Sequence, residues 1–155
     1  EADELILEPK RLPVNNVLRD AVSLLYDDFC QKGASPSVDI PNGSPIIFAD
    51  QDALRRVFAN ILQNALVHGD GEYRICSQQT ASGCRIRFEN ATHTIEEADL
   101  PHLFDRFYTT DRSRSRRTTG LGLSIAKKLT ERMGGTIEAA LEASTFVITV
   151  TFPNG

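Results

Sequence analysis

No segment constrains the fold of this chain more than Ala49 to Gly71, which reads ADQDALRRVFANILQNALVHGDG. Leu54, Val57, Phe58, Ile61, Leu62 and Ala65 recur there at three- and four-residue steps. That spacing gathers apolar side chains on one stripe of an α-helix, and the stripe demands a second layer to cover it. Asp50 or Asp52 is placed to cap the first turn. At about 100° per residue, Asn60 and Asn64 fall together on the flank of the stripe, where their amides look into a cleft beside the core. Two neutral amide oxygens there suit Mg²⁺, which takes oxygen ligands, keeps several waters and completes its shell with substrate phosphates. The same pair could equally cap or solvate a helix edge.

The remaining segments supply that second layer. Glu1 to Lys10 carries an apolar pulse at Leu5, Ile6 and Leu7, an edge strand or a tail, and its abrupt start without Met or cap reads as the beginning of an excised fragment. After Pro13, Asn15 or Asn16 can cap a helix whose face is Val17, Leu18, Ala21, Val22, Leu25 and Phe29, ending at Gly33. Ser37 to Ile40 and Pro45 to Ala49 read as short strands joined by Pro41, Asn42 and Gly43. Tyr73 to Gln78 and Cys84 to Glu89 alternate about the turn TASG, a hairpin in which Cys76 and Cys84 fall on opposite faces. From Asn90 to Thr119 regular periodicity is confined to one short helical pattern around Leu100 to Phe107, which marks a functional lid. Gly120 to Arg132 places Leu121, Ile125, Leu129 and Met133 on one helical face and stops at Gly134 and Gly135. Thr136 to Glu142 and Thr145 to Phe152 form a second hairpin. A mostly antiparallel sheet with helices on one face is the expected result.

A chain of 155 residues fits one such domain and buries roughly two-thirds of its unfolded surface. With a net charge of −4, it lacks the basic excess of a general nucleic-acid binder. No apolar run is long enough to span a bilayer. Cys30, Cys76 and Cys84 lack metal-ligand spacing and read as small apolar filler in a reducing, cytoplasmic setting.

Three features of the second half carry chemistry. Gly120-Leu121-Gly122-Leu123 opens a helix, so free backbone N–H groups and the positive dipole end are offered to phosphates, with glycines permitting close approach. Asp105 to Thr119 holds five arginines against two aspartates in an otherwise acidic chain, and arginine suits bidentate phosphate contact as well as a solvated loop. Phe104 and Phe107, three apart, can anchor or hinge a lid by packing on the sheet, or be plain core.

In order, NILQNA (Asn60 to Ala65), LFDRFY (Leu103 to Tyr108) and GLGLSIAKKL (Gly120 to Leu129), with the closing glycine pair and two strands, resemble the catalytic ATP-binding domain of bacterial sensor histidine kinases. Gyrase, Hsp90 and MutL ATPases are the wider relatives. The resemblance runs from about Leu5 to Phe152 and implies one domain over residues 1–155, an α+β two-layer sandwich of the Bergerat type with a long ATP lid. It implies Mg-ATP as the nucleotide, with Asn64 on the Mg²⁺ and Asn60 beside the reacting phosphate. Gly120 and Gly122 would cradle phosphates, Phe104 and Phe107 form the aromatic box, and the run from about His93 to Thr119 is the lid. Further nucleotide contacts are implied at His68, Asn90, Ile95, Thr119, Leu121 and Leu123. The implied reaction passes the γ-phosphoryl to a histidine on a separate dimerisation domain, for relay to a response regulator, in a membrane-anchored homodimeric parent. The alternatives are a degenerate nucleotide-binding or scaffolding module and an anti-sigma-type protein-serine kinase.

Departures from the family pattern matter. Its Asp-x-Gly-x-Gly is here Asn90-Ala91-Thr92-His93-Thr94, Val67 and His68 replace a common lysine and tyrosine, and Thr118 replaces the first phosphate-loop glycine. The lid arginines, Arg112 to Arg117, could replace the lost cation. Asn90 would accept from the adenine amino group through a neutral oxygen, and its amide can flip to donate to guanine, so weak binding and poor ATP-over-GTP discrimination are expected. None of His68, His93 and His102 has the acidic residue and downstream proline of a phosphoacceptor site.

Overall fold

The computed structural model describes residues 5–43, 45–108 and 122–155. Among these residues, three α-helices and seven strands build two layers, and a five-stranded sheet in the order β2-β4-β5-β7-β6 forms one of them. β2 (Ser37–Asp39) runs parallel to β4 (Arg74–Gln79), whereas β4, β5 (Gly83–Ala91), β7 (Thr145–Pro153) and β6 (Thr136–Glu142) pair antiparallel. The sheet is mixed and mostly antiparallel, as the alternation predicts. Ile75, Ile86, Phe88, Phe146, Ile148, Val150 and Ile137 meet the helices in one core. The other face carries Arg87, bridged to Glu89 at 3.2 Å and Glu142 at 3.4 Å. Cys84 is fully buried beside Ile86 while Cys76 lies across from Arg87, so the thiols do occupy opposite faces. Cys30 is exposed on its helix rather than filling the core.

α1 (Val14–Gln31) buries Val17, Leu18, Ala21, Val22, Leu25 and Phe29, the expected stripe. Its start differs. Pro13 occupies the cap position with no side-chain cap, and Asn15 is 1% exposed. The Asn15 amide donates to the carbonyls of Pro41 (3.1 Å) and Gly43 (3.2 Å) and accepts from the Ser77 hydroxyl at 2.6 Å. A buried amide satisfied on both sides ties helix, loop and sheet together, a larger gain than capping one solvent-accessible N–H. Gly33 and Gly134 close α1 and α3 (Gly122–Arg132) at φ of +80° and +83°. The Ala34 amide returns to the Phe29 carbonyl and that of Gly135 to Thr130, the left-handed closure that glycine permits.

β2 and β3 (Ile46–Ala49) are joined as read, yet do not pair with each other. β3 pairs antiparallel with β1 (Lys10–Pro13) in a separate two-stranded sheet. The Leu5–Leu7 pulse precedes that strand, with Ile6 85% exposed; it lacks the alternation by which Leu12 reaches the core. A 3-10 helix spans Glu97–His102, earlier than the expected pattern, because Glu96 and Asp99 form a reciprocal capping box that starts it. α3 buries Leu123, Ala126, Leu129 and Thr130, with Ile125 and Met133 at the margin. Lying against both α2 (Gln51–His68) and β6, it needs a broader apolar face than the anticipated single row.

Candidate functional site

α2 begins at Asp50, whose side chain accepts from the Ala53 amide at 2.8 Å, and its apolar stripe lies in the core. Asn60 and Asn64 are therefore fixed on its flank, each half-buried. The Asn60 amide donates to the carbonyl of Gly122 at 3.0 Å, fastening α2 to the first turn of α3. Two residues 62 apart in sequence are thereby brought together. One turn on, Asn64 makes no hydrogen bond to the described residues. One turn further, His68 is buried and its carbonyl accepts from the Thr94 hydroxyl at 3.3 Å.

Among the described residues nothing requires glycine at 122: its φ is not positive, and of these residues an added Cβ would meet only the Asn60 Cβ, at 4.0 Å. Gly69 is the opposite case, where a Cβ would lie 2.5 Å from the Ala65 carbonyl oxygen and 2.6 Å from the Tyr73 ring. Gly122 thus brings side-chain-free backbone to within 4.0 Å of Asn60. Leu123 and Ile95 point into the core, so either could meet a ligand only through its backbone.

The other end of the cleft is built differently. Asn90, 3% exposed at the end of β5, donates its amide N–H to the Ala91 carbonyl at 2.9 Å. Only an NH₂ group can make that bond, so the orientation is fixed and the amide oxygen is left to accept. The Ala91 carbonyl also takes the Asp70 amide at 2.8 Å, and the Ala91 amide returns to the Gly71 carbonyl at 2.9 Å. Asp70 in turn accepts from the His93 backbone at 2.7 Å and contacts its ring Nδ1 at 2.8 Å. Partial burial pushes the Asp70 carboxyl up, but the bonds and charge of His93, with Lys32 beyond, outweigh it and hold the group below the ordinary range. Thr92, buried, accepts through its hydroxyl from the amides of Thr94 (3.3 Å) and Ile95 (3.2 Å). Lys32 donates to the carbonyls of Leu66 and Gly69, closing the C-terminal end of α2. No local spacing advertises the Asp70 and His93 pair: its members are 23 residues apart and meet only because β5 returns alongside α2.

Beyond this turn, Phe104 is half-buried against the core with the Lys127 ammonium 5.6 Å from its ring centroid. Phe107 does not pack on the sheet. It is 62% exposed, at a left-handed φ of +65°, with the Arg106 guanidinium 4.9 Å over its ring. Tyr108 donates to Asp99 at 2.6 Å, drawing the end of this segment back to the 3-10 helix. Thr119, Gly120, Leu121 and the arginines from 112 to 117 lie outside the described residues.

Among the described residues, no cluster of three or more His, Cys, Asp or Glu could hold a metal ion. The donor set at the α2 flank is instead neutral amide oxygen, which suits a hard cation that brings its own phosphate and water ligands. Mg²⁺ arriving with a nucleotide fits those residues; a transition metal needing imidazole or thiolate does not.

Residues 49–155 match the family described as histidine kinase-, DNA gyrase B-, and HSP90-like ATPase. The chain is 31% identical to the sensor histidine kinase YcbM of Bacillus subtilis over 92% of its own length and 50% of that protein. It is 32% identical to the signal transduction histidine-protein kinase BaeS of Escherichia coli over 90% of its length and 31% of that protein. It thus spans half or less of these curated relatives. The catalytic domain of the histidine kinase ThkA superposes with a TM-score of 0.84 at 22% identity, over 96% of this chain and 97% of that one, and shares its fold. ThkA has also been solved in complex with the response regulator protein TrrA; that chain superposes with a TM-score of 0.78 at 22% identity, over 96% of this chain and 42% of that one.

Proposed function

Because the chain belongs to the histidine kinase-, DNA gyrase B-, and HSP90-like ATPase family, we propose that it binds Mg-ATP and transfers the γ-phosphoryl to a histidine on a separate dimerisation domain. A response regulator would then receive the phosphoryl group, and the parent protein would be a homodimer anchored in the bacterial membrane with this domain on the cytoplasmic side. Among the described residues no helix is long and apolar enough to cross a membrane. The observation that carries the reading is the Asn60 bond to the Gly122 carbonyl, which sets the asparagine row against the bare backbone of α3.

Catalysis in this reading is positioning and charge neutralisation. Asn60, oriented by the N–H it donates to Gly122, turns its oxygen toward the reacting end of the nucleotide. Asn64 would hold Mg²⁺ through its amide oxygen. When bound, the metal supplies charge that neutralises the phosphate oxygens. Gly122, with Gly120 before it, lets the phosphates approach the first turn of α3, where the positive end of the helix dipole favours anions. Phe104 and Phe107 would flank the lid.

Asn90 is the base-reading residue of the proposal. Its NH₂ is held on the Ala91 carbonyl, so it accepts from the adenine amino group as a carboxylate would. A flip would set its oxygen against the Ala91 carbonyl oxygen at 2.9 Å, which opposes donation to guanine. The fixed amide therefore favours discrimination for ATP, contrary to the expectation from a freely flipping asparagine.

Radiolabelled ATP tests the reading. The chain alone should stay unlabelled, since none of its histidines has phosphoacceptor context, and an added dimerisation domain bearing the acceptor histidine should take up acid-labile label. Label on His68, His93 or His102, or none on the added domain despite bound ATP, would overturn it.

A further inference from the structure

Asp70 and His93 stand apart from every group assigned above. They lie on two loops, one leaving α2 and one leaving β5, that meet through this pair and through Ala91, and also through a Gly69–Thr92 bridge and the Thr94 hydroxyl on the His68 carbonyl. On one side of Ala91 both backbone groups are taken by the α2 loop, its carbonyl by Asp70 N–H at 2.8 Å and its amide by the Gly71 carbonyl at 2.9 Å. That same carbonyl holds the Asn90 NH₂ at 2.9 Å. The α2 loop is itself kept in place by the Asp70 carboxylate, one of whose oxygens takes the His93 amide at 2.7 Å and contacts the ring Nδ1 at 2.8 Å. A continuous line of short contacts therefore runs from the His93 ring through Asp70 and the Ala91 carbonyl to the amide of Asn90.

The remaining surroundings limit the alternatives. Lys32 and Tyr73 hold the Gly69 carbonyl at 2.8 and 3.0 Å, which anchors the start of the α2 loop but not its Asp70 end. Thr92 holds the turn after β5 through its hydroxyl, which fixes residues 94 and 95 but leaves the Ala91 carbonyl untouched. The His93 side chain is 79% exposed and buries little apolar surface, so its contact with Asp70 is a polar tie at the rim of the cleft. A tie of this kind contributes little to global stability, and its effect is local.

We propose that the Asp70 and His93 pair is a positioning clasp that holds the Asn90 amide in its acceptor orientation and so sets the preference for adenine over guanine nucleotides. The inference rests on the reading of Asn90 given above. In a chain with Thr92 and Thr94 in place of two glycines, side-chain bonds do the work of shaping the turn. Releasing the clasp loosens the α2 loop whose Asp70 N–H steadies the Ala91 carbonyl, and the oxygen that holds the Asn90 NH₂ is then free to shift.

Calorimetric titration of ATP and GTP against the unmodified chain and its variants decides the matter, with circular dichroism to confirm folding. His93→Ala and Asp70→Ala should each lower the ATP-over-GTP affinity ratio by about threefold to tenfold, the range of one neutral hydrogen bond. The double variant should do no more than either alone, because one line of contacts is broken once. His93→Gln, which keeps a side-chain donor, should recover part of the ratio. Equal weakening of both nucleotides, or an unchanged ratio, would reduce the pair to a structural tie. Asn90→Ala separates the two levels: if it leaves the ratio unchanged, Asn90 does not read the base and the underlying assignment fails. If Asn90→Ala collapses the ratio while His93→Ala and Asp70→Ala leave it intact, the clasp alone is refuted.

Discussion

The two ends of the proposed nucleotide cleft face the same task in that reading, placing an amide against a ligand, and are built by opposite means. At the phosphate end the parts are regular: two asparagines one turn apart on α2, a bare glycine at the start of α3, and one bond of 3.0 Å between them. Helix geometry supplies the precision there, and the packing of α2 on α3 maintains it. At the base end there is no regular element beyond the last residue of β5, and the wall is stitched by side chains, Asp70 to His93 and Thr92 to the two amides that follow it. A wall made by helices is legible as periodicity. One made by side chains across loops leaves no period to read.

The largest effect that would sharpen the contrast lies at the phosphate end. Asn64→Ala deletes a half-buried amide whose side chain makes no bond to the described residues, and puts a strong helix former in its place, so the fold should be kept. Transfer to an added acceptor domain should fall by roughly a hundredfold or more if its oxygen holds the metal at the reacting phosphate. Unfolding in place of inactivation would return Asn64 to a structural role. Full transfer would remove it from the site.

A pair of glycines gives the next effect, with opposite signs at the two ends. Gly122→Ala adds a methyl group with no neighbour nearer than 4.0 Å among the described residues and should raise stability by about 0.5–1 kcal/mol, as alanine does for glycine in a helix. It should also weaken ATP by about tenfold, because the methyl stands in the cradle. Gly69→Ala drives a methyl against backbone at 2.5 Å and should cost about 1–3 kcal/mol. Thermal melts and titrations of both variants settle it: Gly122→Ala with unchanged ATP affinity would mean that no phosphate approaches this backbone.

The same division explains how much could be read without coordinates. The stripes of α1 and α2, both hairpins and the opposite faces of Cys76 and Cys84 follow from periods of 3.6 and 2 alone. Asn15 reads as a cap because asparagine near a helix start favours that role, whereas its burial follows from the return of the Pro41 to Gly43 loop and of β4. β2 and β3 look like partners because a turn joins them, whereas β2 lies parallel to β4 and β3 closes against β1, long-range pairings that no local pattern encodes. Asn60, Asn64 and Gly122 were legible because their motifs sit on helices. Asp70 was not, since its importance arises from a residue met across the cleft.

The smallest expected effect separates the two ends by their chemistry. Asn60, Asn64 and Gly122 carry no titratable group, whereas the base end depends on the Asp70 carboxylate. Partial burial acts to raise that carboxyl, yet the His93 hydrogen bonds prevail and its pKa in the folded chain is depressed. Its contribution is therefore complete above the unfolded value of about 3.9 and is lost as pH falls through the lower folded value. Asp50 is depressed too, chiefly by the amide of Glu8 and then that of Ala53, so acid also loosens the first turn of α2. That turn lies at the far end of the helix from Asp70, and residue-resolved signals distinguish them. In a titration followed by nuclear magnetic resonance from pH 7 downward without nucleotide, the backbone amide of His93 and the side-chain NH₂ of Asn90 should shift together below pH 3.9 or so. The side-chain NH₂ of Asn60, bonded to a carbonyl, should hold its position over the same range. Movement of the Asn60 signal along with the other two would mean that the ends of the cleft are one cooperative unit.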